Sequence, residues 1–140
     1  LVGGTKDEMG RLEYAAMKGI EGCSGPIVNA EEAKSLYFCL HQAIKQGLIA
    51  SCHDCSEGGV AVALAEMAFS GGLGLDISLQ NMPTLGELDT AQLSKHALGK
   101  IGIVRADSRF KIKGKSDDLF IDTDISSLKN SWQNPLRAKS

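Results

Sequence analysis

Residues 52–59 of the 140-residue chain read Cys52-His53-Asp54-Cys55-Ser56-Glu57-Gly58-Gly59, and this run lies between two predicted elements. It follows a short apolar segment, Leu48–Cys52, for which we predict a β-strand. It precedes the alanine-rich segment Gly58–Ser70, for which we predict a helix ended by Gly71 and Gly72. Small side chains would let this helix approach a sheet closely and become well buried. They stand at Ala61, Ala63, Ala65 and Ala68.

The residues before this run indicate two further helices joined by a linker. A short helical stretch is predicted near Leu12–Lys18, and the glycines and proline of Gly19–Pro26 indicate a linker. A longer helix should follow Asn29, a favoured N-cap residue, and end at Gly47. Its apolar positions repeat at helical spacing. They are Ala33, Leu36, Tyr37, Leu40 and Ile44.

The residues after this run indicate strands and a last helix. Predicted strands are Leu73–Leu79, Lys100–Arg105, Phe110–Lys113 and Leu119–Asp122, the last two forming a hairpin. Thr84–Ala97 fits either a short helix or a loop. The final helix is predicted over Ile125–Gln133, ended by Pro135. The order of elements predicts an α+β fold in which helices cover a mixed β-sheet.

Bulk properties exclude several classes of protein. The net charge is −2 and no basic stripe is present, so a nucleic-acid partner is not expected. The longest apolar stretch, Val60–Phe69, is interrupted by Glu66 and is too short to span a membrane. No secretory signal is visible, and four cysteines without a regular framework suit a reducing, cytoplasmic environment. The chain opens at Leu1 instead of Met, which suggests a piece of a longer polypeptide.

The junction between the predicted strand and the buried helix is the candidate ligand-contact site. Free backbone N–H groups at a helix start attract anions. Gly58 and Gly59 would allow a ligand to approach the backbone, and Ser56 could donate to a phosphate. The plainer alternative is that Asp54 or Ser56 only caps the helix and that the glycines only form a turn. The spacing of a Walker A phosphate loop is missing.

Cys52 and Cys55 form a C-x-x-C pair, which raises a zinc or a redox hypothesis. Zinc would need two more ligands at suitable spacing, and no second C-x-x-C or H-x-x-x-H is present. We therefore expect no metal site and ordinary reduced cysteines, with the Cys52 side chain in the core of the sheet.

Two ionisable residues carry open alternatives. His53 could act as a general base, but a histidine hydrogen-bonded at a strand end is the favoured interpretation. Glu66 could lie on an exposed flank of its helix or bond the backbone of a neighbouring loop, and the exposed flank is favoured. No catalytic residue is assigned.

Residues 53–68, followed by Gly71-Gly72-Leu73-Gly74, resemble the second C-terminal-type domain of the phosphoribosylformylglycinamidine synthase (FGAM synthase) large subunit. This family is one branch of the AIR synthase-related superfamily. Residues 1–14 resemble its exit from a preceding ATP-binding domain. The segments 99–102 and 132–136 resemble its closing strand and last helix.

The resemblance implies a role in purine biosynthesis. Members of the family convert formylglycinamide ribonucleotide to the amidine with ATP, Mg²⁺ and ammonia from a glutaminase subunit or domain. ATP would phosphorylate the amide oxygen, and ammonia would displace the phosphate. The family's metal and nucleotide ligands lie mostly in its N-terminal ATP-binding domains. The chain alone is therefore expected to bind no cofactor, to be inactive, and to help shape the cleft through Asp54, Ser56, Gly58 and Gly59.

The resemblance also implies an organisation and a departure from it. Residues 1–18 would be the exit segment of the preceding domain, residues 19–140 the C-terminal domain, and a homodimer could form through the sheet. The family has another strand and helix before the strand at Ile101, and the residues between Leu79 and Ile101 are too few for both. A strand–helix segment near Thr90–Leu98 would be deleted or missing from the sequence. Its loss makes a non-catalytic interaction module the alternative function.

Overall fold

The computed structural model describes residues 1–6, 13–20, 25–84 and 98–137. The chain divides into two compact units. One unit comprises Leu1–Leu48 and Pro83–Gly99, and the other comprises Ile49–Met82 and Lys100–Ser140. No helix in the described ranges is long and apolar enough to cross a membrane.

The first unit contains helices α1 (Glu13–Lys18) and α2 (Ala30–Lys45). As predicted, Asn29 is the N-cap of α2, and its side chain accepts a hydrogen bond from the Glu32 backbone N–H at 3.3 Å. Gly47 follows the helix with a φ of +69°, the left-handed conformation that ends many helices. No residue of α2 is fully buried, so its predicted apolar face is only partly covered within the described residues.

The second unit contains a four-stranded mixed sheet and two helices. Its elements are α3 (Gly59–Gly71), β1 (Gly74–Ser78), a 3₁₀ turn (Leu79–Asn81), β2 (Gly102–Arg105), β3 (Arg109–Lys113), β4 (Leu119–Asp124) and α4 (Ile125–Arg137). The strand order is β2-β1-β3-β4. Strand β1 runs antiparallel to β2 and parallel to β3, while β3 and β4 form the predicted antiparallel hairpin. The predicted α+β class with helices on a mixed sheet is therefore confirmed.

The core of this unit forms on one face of the sheet. Leu75 and Ile77 of β1 lie next to Phe110 and Ile112 of β3 in the parallel register, and all four are buried. Helices α3 and α4 pack against each other, while α3 contacts β1 and α4 contacts β4. The two most buried residues of α3 are alanines, as expected of a helix that approaches its neighbours closely. Apolar and polar residues alternate along β1, and this alternation places Leu75 and Ile77 on the buried face of the sheet, as the sequence predicted.

Two predicted elements differ from the structure. Residues 48–52 form no strand, because no neighbouring strand among the described residues pairs with them. The last helix does not end before Pro135 but continues to Arg137. A proline removes one backbone hydrogen bond from a helix, and only two residues follow it here, so the loss is confined to the helix end. The predictions for Thr84–Ala97 and for a deletion near Thr90–Leu98 fall mainly on residues 85–97, outside the described residues.

The turn between β2 and β3 lies tightly against β1. The Gly74 N–H donates to the Asp107 backbone oxygen at 2.7 Å. The Asp107 carboxylate accepts from the Arg105 guanidinium at 2.6 Å and from the Arg109 N–H at 3.2 Å. The hydrogen bond from Arg105 is the main cause that lowers the pKa of Asp107. The turn is thus held by both backbone and side-chain bonds.

Substituting Gly74 should destabilise the fold. A Cβ there would lie 2.3 Å from the Arg109 backbone oxygen and 2.5 Å from that of Asp107, and backbone atoms cannot move aside cheaply. We expect Gly74→Ala to lower the free energy of unfolding by roughly 1–3 kcal/mol, measured by urea denaturation. Gly71→Ala is the control, because its new methyl group meets no atom within 4 Å. Equal losses in both variants would contradict the close approach.

Helix α4 begins at a charged cap that the sequence analysis did not identify. The Asp124 carboxylate accepts from the Ser126 N–H at 2.8 Å and from the Ser108 hydroxyl at 2.5 Å. The Ser108 bond is the largest cause that lowers the pKa of Asp124 to about 2, followed by the bonds from Ser126. Asp124 therefore connects the β2–β3 turn to the start of α4.

The low pKa of Asp124 gives a prediction for acid stability. The folded-state pKa of about 2 lies below the ordinary value of 3.8, so ionised Asp124 stabilises the fold above about pH 4. This contribution should be lost as the pH falls from 4 towards 2. The control is Asp124→Asn, which can still cap the helix but does not titrate in this range. Urea denaturation should show a steeper acid loss for the wild type, and parallel losses would contradict the assignment.

Candidate functional site

The segment before α3 is an exposed loop that ends in two left-handed glycines. Residues 49–57 form neither helix nor strand. Gly58 and Gly59 have φ values of +83° and +65°, and the Gly59 N–H donates to the Ser56 backbone oxygen at 3.1 Å. These bonds and angles define a compact turn, residues 54–59, which we call the signature turn. It contains all four predicted ligand-contact residues, namely Asp54, Ser56, Gly58 and Gly59.

The predicted capping role of Asp54 and Ser56 is wrong. The N-cap of α3 is Gly58, and no side chain bonds there. The turn brings the carbonyl of Ser56, not its hydroxyl, to the first N–H of the helix. The Asp54 side chain is 88% exposed and Ser56 is also exposed. Their side chains are therefore open to solvent, and their contact with a ligand stays a prediction.

His53 and Glu66 form the polar contact beneath the signature turn. The His53 Nε2 lies 2.9 Å from Glu66 Oε2, and its Nδ1 lies 2.7 Å from the Asp54 backbone oxygen. Glu66 Oε1 accepts from the indole N–H of Trp132 at 2.8 Å. The favoured interpretation of Glu66 as an exposed flank is wrong, because its carboxylate bonds two side chains and is only 23% exposed.

The sequence offered a signal for one of these residues and none for the other. Glu66 is the only charged residue of α3. If the helix is buried, its carboxylate needs a hydrogen-bond or ion-pair partner, because an unpaired buried charge is destabilising. Trp132 carries no such signal, because it lies 66 residues further along the chain. Its ring contacts Phe69 with centroids 5.8 Å apart, so the packing of α4 on α3 brings it to Glu66.

The prediction that the Cys52 side chain lies in the core of the sheet is wrong. Cys52 is exposed instead of pointing into the sheet, because its segment pairs with no strand. Cys55 is a free thiol whose pKa is raised by partial burial of the sulfur and by the neighbouring Asp54 carboxylate. A raised thiol pKa reduces the reactive thiolate. Within the described ranges no three His, Cys, Asp or Glu side chains come together to hold a metal.

A shallow depression lies elsewhere on the second unit. Its polar lining includes Asp76, Lys100, Lys113 and Asp117. Lys113 and Asp117 form an ion pair at 3.2 Å. Acidic and basic groups balance there, so the charge of this depression favours neither anions nor cations.

Comparison with known proteins identifies one family. The family described as AIR synthase related protein, C-terminal domain, matches residues 1–113. This range includes the signature turn, α3, β1, β2 and β3. It ends before β4 and α4, so the helix that carries Trp132 lies beyond the matched range.

Similar curated proteins share one name, phosphoribosylformylglycinamidine synthase subunit PurL. The relative from Methanocaldococcus jannaschii is 34% identical over 119 residues, covering 84% of this chain and 16% of the relative. That from Thermococcus kodakarensis is 41% identical over 98 residues, covering 69% of this chain and 14% of the relative. The relative from Lactobacillus helveticus is 35% identical over 159 positions, covering 97% of this chain and 20% of the relative.

Two facts about length follow from these matches. The chain spans between 14% and 20% of these three relatives. The Lactobacillus helveticus match extends over 159 positions although the chain has 140 residues, so this relative has residues without a counterpart here.

The two glycines of the signature turn should differ in their tolerance of a side chain. Both have positive φ, which costs about 1–2 kcal/mol for any other L-residue. At Gly58 a Cβ would also lie 2.8 Å from the Val62 Cβ, whereas at Gly59 it would meet nothing within 4 Å. We expect Gly58→Ala to lower the free energy of unfolding by roughly 1–3 kcal/mol more than Gly59→Ala in urea denaturation. A larger loss for Gly59→Ala would contradict the geometry.

Proposed function

The chain belongs to the AIR synthase-related C-terminal domain family, and from this premise we propose that it is the C-terminal domain of an FGAM synthase. The observation that carries the proposal is the shared name of the relatives, one of which is 34% identical across 84% of this chain. The full-length protein would convert formylglycinamide ribonucleotide to its amidine in purine biosynthesis. It would use ATP, Mg²⁺ and ammonia from a glutaminase subunit or domain.

We propose a division of labour within this enzyme. Mg²⁺ is held by oxygen ligands, mainly carboxylates and phosphates. As the family resemblance implies, we assign most of the Mg²⁺ and nucleotide ligands to the N-terminal ATP-binding domains of the same polypeptide. The present chain would pack against those domains and form one wall of the cleft, without activity by itself.

The signature turn would be the part of that wall that meets the ligand. A Cβ at Gly59 would meet no atom within 4 Å, so a ligand has room to approach the backbone there. Ser56 can donate to a phosphate oxygen through its hydroxyl group, and Asp54 can accept from a ligand hydroxyl or N–H. Both side chains are exposed, so a ligand can reach them.

The outer surface of the sheet is the proposed place for a homodimer contact. Ile103 of β2 is 52% exposed and Phe120 of β4 is 64% exposed. On the same face, Lys111 of β3 and Asp122 of β4 lie 3.7 Å apart as a partly exposed ion pair, and Arg109 also bonds Asp122. Ion pairs near the surface contribute little to stability. The homodimer stays a prediction.

The alternative function is a non-catalytic interaction module with the same fold. The specific observation in its favour is that some relatives have residues without a counterpart in this chain. We propose that these include the strand–helix segment near Thr90–Leu98. Their loss would remove part of a substrate-facing surface and leave the packing surfaces.

A chimeric enzyme tests the proposed function. The C-terminal segment of the Thermococcus kodakarensis relative that matches this chain is replaced by residues 1–140. Amidine formation is then measured with formylglycinamide ribonucleotide, MgATP and ammonia. An active chimera is expected, with kcat/KM lowered at least about tenfold by Asp54→Ala because a hydrogen bond to a charged group is lost. Glu57→Ala, which removes another exposed carboxylate of the same turn, is the matched control.

The outcomes separate the two functions. A stable but inactive chimera would contradict the ligase role and favour the interaction module. Equal effects of the two substitutions would contradict the contact assigned to Asp54. Isothermal titration of the 140-residue chain with MgATP is the second measurement, and tight binding by the chain alone would contradict its role as a wall of the cleft.

A further inference from the structure

The contacts around Glu66 connect the last helix of the chain to the signature turn. We propose that Glu66 is a positioning residue: it holds His53, and through His53 the signature turn, in the conformation in which the turn meets its ligand. The proposal rests on the proposed function only for what the turn contacts. The positioning itself is a property of this chain and can be measured without a ligand.

The carboxylate of Glu66 is held from the side of the helices. Its Oε1 accepts from the Trp132 indole N–H at 2.8 Å, and Trp132 packs against Phe69 of α3. Helices α3 and α4 pack against each other, so this bond joins two elements of the folded scaffold. With a side chain only 23% exposed, Glu66 is partly shielded from water, which strengthens its hydrogen bonds.

The second oxygen of Glu66 holds the loop. Oε2 lies 2.9 Å from His53 Nε2, and the opposite ring nitrogen lies 2.7 Å from the Asp54 backbone oxygen. The imidazole therefore bridges a helix side chain and the first peptide group of the signature turn. Residues 49–57 have no helix or strand bonds to fix them, so this bridge is a main restraint on where the turn begins.

The two contacts of the imidazole place a requirement on its hydrogen-bond donors. A carboxylate and a backbone carbonyl can only accept hydrogen bonds, so both contacts are made together only when both ring nitrogens are protonated. The Asp54 carboxylate lies 3.7 Å from Nδ1 and adds a second negative group beside the ring. Glutamine at position 66 changes this pattern. Its amide oxygen can accept from Trp132 while its NH₂ group donates to His53 Nε2, which leaves one proton on Nδ1.

Glu66→Gln and Glu66→Ala therefore test different things. Glu66→Gln preserves both contacts through its amide oxygen and NH₂ group. Glu66→Ala removes both contacts and releases the turn. Trp132→Phe removes the indole donor while an aromatic ring still packs on Phe69. The chain contains a single Trp, so one indole N–H signal in an NMR spectrum reports on this bond.

The experiment is NMR spectroscopy of the labelled 140-residue chain. Glu66→Ala should shift the backbone amide signals of Asp54, Ser56, Gly58 and Gly59 and the indole N–H signal. Glu66→Gln should return these signals close to their wild-type positions. Glu57→Ala controls for the loss of a carboxylate.

Two results would overturn the proposal. In the first, Glu66→Ala shifts the indole signal but leaves the turn amides in place, which would make Glu66 a link between the helices alone. In the second, Glu66→Gln perturbs the turn as strongly as Glu66→Ala, which would exclude rescue by a side chain of the same shape. If Glu66→Ala fails to fold, Glu66→Leu decides, because it fills the same space in an apolar helix but has no oxygen to hold His53. Turn amides that do not shift in this variant would also contradict the proposal.

The result is distinguishable from a failure of the proposed function. Turn amides that move with Glu66 while the chimera remains inactive would retain the positioning role and reject the ligase. An active chimera would retain the ligase, and turn amide signals that do not shift in Glu66→Ala would reject the positioning role.

Discussion

The second unit depends on the close approach of neighbouring backbones to β1. A Cβ at Gly74 would lie 2.3 Å from the Arg109 oxygen, and one at Gly102 would lie 2.3 Å from the Asp76 oxygen. Side chains at these two glycines would push both neighbours away from β1. Their absence allows β1 to pair antiparallel with β2 and parallel with β3, and this pairing creates the mixed sheet. Because the sheet forms there, Leu75 and the other buried residues of its inner face come together beneath α3 and α4.

The candidate site follows from how α3 is placed on this sheet. The signature turn lies at its N-terminus. Its single acidic residue, Glu66, accepts a hydrogen bond from the indole N–H of Trp132 in α4. A buried or half-buried carboxylate without partners would destabilise the helix, whereas here it accepts from both sides. The same interaction that satisfies Glu66 therefore also restrains His53 and the loop. Structure and candidate function therefore share one set of contacts, and these contacts satisfy the only charged residue of α3.

Much of the local structure and the family could be predicted from sequence. Residues 53–68 carry the resemblance, and the family match over residues 1–113 agrees with it. The capping roles of Asp54 and Ser56 could not be predicted correctly, because either a side chain or a carbonyl can satisfy the first N–H of a helix. The left-handed backbone at Gly58 decided between them. The two partners of Glu66, His53 and Trp132, could not be predicted from the sequence either, because both contacts depend on how the helices and the loop pack.

The sequence by itself determined the helices, the β3–β4 hairpin and the alternation of β1, because periodicity and turn residues act over a few neighbouring positions. Tertiary structure alone decided that residues 48–52 form no strand, since a strand exists only where another strand pairs with it. It also decided the parallel pairing of β1 with β3 and the bond from Trp132 to Glu66. These contacts join residues far apart in the chain, and no local sequence pattern indicates which distant residue will make the contact.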